Sequence, residues 1–419
     1  MSKIFAYVVI FFGSHSLALG SDSYIVKLNR TETPQEFFTR TGYSGRVLDA
    51  NSSSRTLEVY VPAGFGLMSA AEQMDAVKQI DYFEKNIQVS IDFGPKKPSQ
   101  PNDPAAGQPE QSYNDKHASK LWAMEGVEQR GSIRATHAKY HLRNRSLEQV
   151  VVGVLDTGVE YGQEDLVNVL HSAQLNGRLS RGVNAIDRDK DPIDDHSHGT
   201  HVSATIAAQA DNRAGIMGVA SNAKIFPLKF LSSKGSGDTA DAIYALDQAY
   251  EVNDIKLINH SWGGEGSSRA LEEAFERGRE KNILMVVAAG NSSSSNDLVN
   301  VIPANIALDN VISVGAISYT SELAMFSNYG KATVHLTAPG VGIFSALNMA
   351  SSAYDLKSGT SMAAPHVSGV AAVIWGLRPE WSYRQVRAQI LNNVRPLGGL
   401  SSKISTGGTL DLYRAVKDL

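Results

Sequence analysis

Between Val150 and Val314 the chain alternates short β-branched, apolar runs with longer segments of helical periodicity. Val150–Leu155, Lys224–Leu228, Lys256–Asn259, Ile283–Ala288 and Val311–Val314 read as buried strands. Val202–Ala210, Asp238–Glu251 and Ser268–Arg279 read as the helices between them. Successive strands joined through a helix lie parallel and cross over with one hand, so few topologies remain. The predicted fold is α/β, a doubly wound, mostly parallel sheet with helices on both faces. In such sheets, functional groups collect at the carboxyl ends of strands and at helix N-termini. Further on, Ser382 and Gln385 have capping-box spacing and predict a last helix through Leu391.

The N-terminal part has a different texture. Lys3, the apolar run Ile4–Phe12 and the small residues Ala18 and Gly20 ahead of Ser21 have the layout of an export signal, residues 1–20. Residues 21–93 read as a small α+β unit. Tyr24–Leu28, Arg46–Asp49, Leu57–Val61 and Ile87–Ile91 are strand-like, and Ser69–Ile80 is helix-like. A segment rich in Pro, Gln, Asn and Gly, residues 94–114, reads as an exposed linker. The large domain then covers 115–419. Cysteine is absent, which excludes disulfides and cysteine-ligated zinc, and the net charge of −4 gives no basic nucleic-acid footprint. Outside the leader, no apolar run approaches the roughly 18 residues of a membrane span.

Three segments carry chemistry. VVVGVLDTGV ends a strand at Asp156 and turns on Gly158. HSHGTHVSATIAA opens a helix at His198. SGTSMAAPHVSGVAA opens another at Ser361, with Pro365 tolerated in its first turn. A serine hydroxyl is a poor nucleophile until an imidazole takes its proton, and a carboxylate orients that imidazole. A helix N-terminus also favours developing negative charge.

Taken together, these segments resemble the subtilases, the subtilisin-like serine peptidases, over roughly Trp122–Val416. The resemblance implies a serine endopeptidase acting on protein or peptide substrates, with Asp156, His198 and Ser361 as its triad. INHSWGG resembles the family's substrate-binding edge at Ser261, Trp262 and Gly263. VVAAGN places Asn291 as an oxyanion donor. The family pattern further implies that residues 21–93 are an inhibitory propeptide removed by self-cleavage between Ile91 and Asn114, with Lys96 and Lys97 as an assisted site. The product would be a monomer, secreted or periplasmic. Some positions depart from the pattern: Ser203 and Ala204 stand in HVSATIAA, and Val301 and Ile302 before Pro303 bear on the depth of the primary specificity pocket. Thr157 after Asp156 argues against the dibasic, kexin-like branch.

No cofactor is required for this chemistry. EYGQEDL and QADNRAGIMG resemble a structural calcium site, with Asp165 and Asn212 as oxygen ligands. Two rival readings accompany the main one. DDHSHGTH, with His196, His198 and His201, has the residue types of a transition-metal hydrolase, although HExxH is absent. A pseudoprotease acting as a secreted binding module would share the fold without the reaction.

Overall fold

A computed structural model describes residues 22–29, 33–41, 44–48, 55–61, 80–91, 114–124, 131–175, 177–188, 191–350 and 352–419. The leader, most of the linker and most of the Ser69–Ile80 helix expectation lie outside these residues. Ile80 itself begins a strand, Ile80–Lys85, that the sequence pattern did not suggest. Among the described residues, no helix is long and apolar enough to cross a membrane.

A nine-stranded sheet forms the centre of the molecule. Its spatial order is 395–396, 408–409, 336–339, 311–317, 284–288, 255–260, 150–156, 223–229, 183–184. All pairings are parallel except that of the edge pair 395–396 and 408–409. The strand Val150–Asp156 is buried along its whole length, as expected where helices cover both faces. It pairs with 223–229 on one side and 255–260 on the other. The chain therefore winds outward in both directions from this strand, and the crevice at its carboxyl end, where Asp156 sits, is the topological switch point.

The helix Thr360–Leu377 runs against the sheet, and every one of its residues is buried. Its apolar composition on all sides matches that position. It packs on the helix His198–Ala207, also buried throughout. A close backbone approach sets the position of the latter: a Cβ on Gly199 would lie 2.1 Å from the Gly158 carbonyl oxygen. The predicted capping box is present, with the Ser382 N–H donating to Gln385 at 2.9 Å ahead of the helix Tyr383–Asn392.

The N-terminal residues form a separate antiparallel sheet, ordered 44–47, 56–61, 22–28, 80–85, with the helix Pro34–Thr41. Phe37, Leu57 and Val59 are in its small core. Ile25 and Leu48 face the other way and join the core of the large domain beside Ala242 and Phe275.

Gly199→Ala should therefore force the His198 helix and the Gly158 turn apart. Thermal or denaturant unfolding should register a loss of about 1–3 kcal/mol. Wild-type stability in that variant would mean that the contact does not fix the helix.

Candidate active site

Asp156 ends the central strand fully buried. A buried carboxylate needs donors, and it has them. The Thr157 N–H donates to Oδ1 at 2.7 Å, and His198 Nδ1 lies 2.8 and 3.0 Å from the two oxygens. With Nδ1 carrying the proton toward the carboxylate, Nε2 is the basic nitrogen. The turn around the pair is organised by Asp194, which accepts from the Thr157 hydroxyl (2.8 Å), from the Thr200 hydroxyl (2.6 Å) and from the N–H groups of His196, Ser197 and Thr200.

Ser361 stands in the first turn of the central helix, 2% exposed, and its hydroxyl donates to the Ser261 carbonyl at 3.0 Å. The reciprocal bond, from the Ser261 hydroxyl to the Ser361 carbonyl at 2.8 Å, fastens the helix start to the edge after strand 255–260. Asn291 follows strand 284–288. Its Oδ1 accepts the Thr360 N–H (2.9 Å) and the Thr360 hydroxyl (3.1 Å), which fixes the amide beside the serine and turns Nδ2 away from Thr360. Thr360 lies within the SGTSMAAPHVSGVAA segment, but its hold on the Asn291 amide shows only in the structure.

The sequence reading put Ser261, Trp262 and Gly263 on a substrate-binding edge. Gly263 lies on a backbone edge, but the Trp262 ring is fully buried, packing on Phe230 at 4.9 Å between centroids and on His260 at 5.8 Å. Trp262 therefore contributes backbone to the edge and side chain to the core, because its large apolar surface gains more from burial than from facing water. Val301 is 3% exposed, on a short strand opposite Glu265, next to the cis Ile302–Pro303 bond.

That edge carries a peptide of the chain itself. Gln88–Ser90 pairs antiparallel with Ser236–Asp238, and Ser90 exchanges two backbone hydrogen bonds with Gly263, each 3.0 Å. The residues just before it bind helix N-termini. Glu84 accepts from the Ser268 hydroxyl (2.6 Å) and from the N–H groups of Arg269 and Ala270, at the start of helix Arg269–Glu280. Asn86 Oδ1 accepts from the Thr239 hydroxyl (2.9 Å) and the Ala240 N–H (3.0 Å), at the start of helix Thr239–Ala249. Arg46 adds an ion pair to Asp241 at 2.6 Å.

The histidine-rich run does not gather as a metal centre. His201 Nε2 is 3.0 Å from the Ile343 carbonyl, and burial holds this imidazole well below its usual pKa. No group of three or more potential His, Asp or Glu ligands comes together among the described residues. Asp165 and Asn212 do meet, 2.9 Å apart, near the buried Asp115. Asp165 also accepts the Ile216 N–H (2.7 Å) and the Tyr354 hydroxyl (2.8 Å). Burial pushes the Asp165 pKa up, and neither Asp115 nor Asp165 has a cationic side chain in salt-bridge reach among the described residues. A buried carboxylate is the hard-oxygen donor type that a calcium ion takes, although both Asp165 oxygens already accept hydrogen bonds from the protein. Asn212 departs from that fit: it turns Nδ2 to Asp165 and gives Oδ1 to the Ala214 N–H at 2.8 Å.

Comparison with known proteins agrees with this geometry. The profile of the subtilase family matches residues 148–408. A thermophilic serine proteinase of Bacillus sp. (strain AK1) is 41% identical over 227 residues, 53% of this chain and 51% of that protein, so the chain spans about half the length of this relative. Subtilisin DY of Bacillus licheniformis is 36% identical over 249 residues, 59% of this chain and 85% of that protein. Among solved structures, fervidolysin from Fervidobacterium pennivorans, a keratinolytic enzyme related to subtilisin, superposes with a TM-score of 0.76 at 25% identity, covering 98% of this chain and 63% of its own. With this match spanning most of the domain that holds Asp156, His198 and Ser361, the chain belongs to the subtilase family of subtilisin-like serine peptidases.

Proposed function

We propose that the protein is an exported serine endopeptidase made as a self-processing zymogen. The buried Asp156–His198 hydrogen bond, with Ser361 held at the start of the adjoining helix, carries the catalytic reading. The reaction requires the Ser361 hydroxyl to leave the Ser261 carbonyl and donate instead to His198 Nε2. Oγ attacks the substrate carbonyl carbon while Nε2 takes its proton, and Asp156 stabilises the imidazolium without accepting that proton. The new oxyanion is bound by the Ser361 N–H and Asn291 Nδ2. Collapse breaks the C–N bond, the imidazolium protonates the leaving amine, and water hydrolyses the acyl-enzyme by the same route in reverse. A pseudoprotease fits less well, because it would have no need of a desolvated, oriented carboxylate–imidazole pair.

The contacts of residues 84–90 support the zymogen reading. An extended segment lying between two backbone edges is how a sheet takes up a peptide. Here that segment is led toward Ser261 and so toward Ser361. Glu84 and Asn86 satisfy helix N–H groups that would otherwise turn to water, and the positive ends of the helices favour an anionic cap. Residues 21–93 thus act as an inhibitor, of which Ile91 is the last described residue, and maturation falls between Ile91 and Asn114. A structural calcium ion at Asp165 and Asn212 would serve stability alone and takes no part in the reaction.

Asn291→Ala should lower kcat by roughly 10²–10³ with KM nearly unchanged, the magnitude known for the oxyanion donor of subtilisin itself. A loss confined to KM would make Asn291 a binding residue only. In the second experiment, pure Ser361→Ala should persist as precursor while the wild type yields a product starting between 92 and 114, by N-terminal sequencing. Normal maturation of the mutant with no other peptidase present would exclude self-processing. Thirdly, a chelator should lower the melting temperature of wild type but not of Asp165→Ala, because an ion bound only to the native state stabilises it by linkage. Identical melting of both proteins with and without chelator would remove the ion from the account.

A further inference from the structure

Strand 223–229 runs beside the strand of Asp156 and ends on a buried cation. Lys229 lies opposite Asp156 in the parallel register, and its side chain is 6% exposed. An ammonium taken out of water needs an acceptor for each of its N–H groups. Lys229 has all of them: the Thr157 carbonyl at 2.7 Å, Asp195 Oδ1 at 2.7 Å and the Leu231 carbonyl at 2.9 Å. Among these acceptors only Asp195 is charged, and its side chain is 49% exposed. Water therefore screens the ion pair, and what distinguishes this lysine is its hold on two backbone carbonyls.

Those acceptors belong to the segments that must meet for Asp156 to reach His198. Thr157 follows Asp156 directly, and every polar group it has is engaged. Its N–H donates to Asp156 Oδ1, and its hydroxyl donates to Asp194 while accepting the Gly199 N–H at 2.9 Å. Its carbonyl takes the Lys229 ammonium. The Asp156 carbonyl in turn accepts the N–H groups of Phe230 (3.1 Å) and Leu231 (3.3 Å), the residues just after Lys229. Asp195 stands in the loop that leads into the His198 helix. One ammonium thus joins the turn after Asp156, the loop before His198 and the end of its own strand. The two acidic residues of DDHSHGTH act on the same turn from opposite sides. Asp194 holds the Thr157 hydroxyl, and Asp195, through Lys229, holds the Thr157 carbonyl.

We propose that Lys229 is a positioning residue for the triad, holding the Asp156–Thr157 turn to the Asp195 loop so that the Asp156 carboxylate stays on His198 Nδ1. The inference rests on the peptidase reading. Lysine suits the place because its ammonium directs donors to acceptors on different sides, whereas the guanidinium of arginine spreads its donors in one plane. Lys229 acts only through Asp156 and His198, whose bond at 2.8 Å is the part of the site that its loss would loosen.

The test compares purified, matured wild type with Lys229→Met, Lys229→Arg and Asp195→Ala on one fluorogenic peptide, with thermal melting of each. Methionine keeps the stem but leaves both carbonyls without a donor. Its kcat should fall by about 10- to 100-fold with KM within roughly twofold, as expected when reacting groups are misplaced but the substrate edge is not. Arginine should recover part of that loss. Asp195→Ala removes only the screened partner and should cost kcat about two- to fivefold. Proton NMR reads the Asp156–His198 bond directly: the deshielded Nδ1 proton of His198 should move upfield or broaden in Lys229→Met and stay sharp in the wild type. A folded Lys229→Met with wild-type kcat and an unchanged Nδ1 resonance would overturn the proposal, as would a loss confined to KM or to melting temperature. Should Lys229→Met not fold, Asp195→Ala decides: wild-type kcat and resonance in that variant would overturn the proposal. A wild type that neither reacts with a fluorophosphonate nor cleaves the peptide would overturn the peptidase reading itself.

Discussion

A carboxylate with no access to water sits at the end of the central strand, and the catalytic side of the molecule is arranged around satisfying it. Asp156 cannot be stable there without donors, and the two it finds come from the next residue and from His198. Bringing the His198 helix close enough requires two backbones to meet with no side chain between them, at Gly158 and Gly199. Asp194 then locks the intervening turn through Thr157 and Thr200. The geometry that orients the His198 ring is therefore also the geometry that keeps a buried charge tolerable.

The opposite wall of the site is held by a different device. Ser361 and Ser261 exchange hydrogen bonds between each one's hydroxyl and the other's carbonyl, and Thr360 clamps the Asn291 amide. Ser361, Asn291 and the edge at Ser261 thus form one unit at the N-terminus of a buried helix, where the helix dipole favours negative charge. Placement of such groups to within fractions of an ångström is what oriented catalysis requires.

Docking of the N-terminal unit draws on the same physics of helix ends. Thr239–Ala249 and Arg269–Glu280 both present their N-termini to it, and Asn86 and Glu84 meet them. These contacts, together with Ile25, Leu48, Val89 and Ile91 in the shared core, lay the strand at residues 88–90 along the backbone edge at Gly263. Glu84 could not be recognised as a cap from sequence, since the helix it caps begins 185 residues later. Ile80–Lys85 went unread as a strand because its residues lack clean alternation, being mostly half-buried.

What the sequence determined by itself is local or periodic. The five central strands, the helices between them and the Ser382 capping box follow from residue patterns that span a few turns or a few residues. The Asp–His–Ser order and the Asn291 segment were legible because each lies in a short stretch of restricted composition. Only the tertiary structure decided which face each residue turns. It sent the Trp262 ring into the core while leaving Gly263 on the edge, gave Asn212 its amide orientation, and put Ile91 between Gly235 and His196. Those outcomes depend on contacts between segments tens to hundreds of residues apart, whose energies are set by burial and by hydrogen-bond satisfaction that no local pattern encodes.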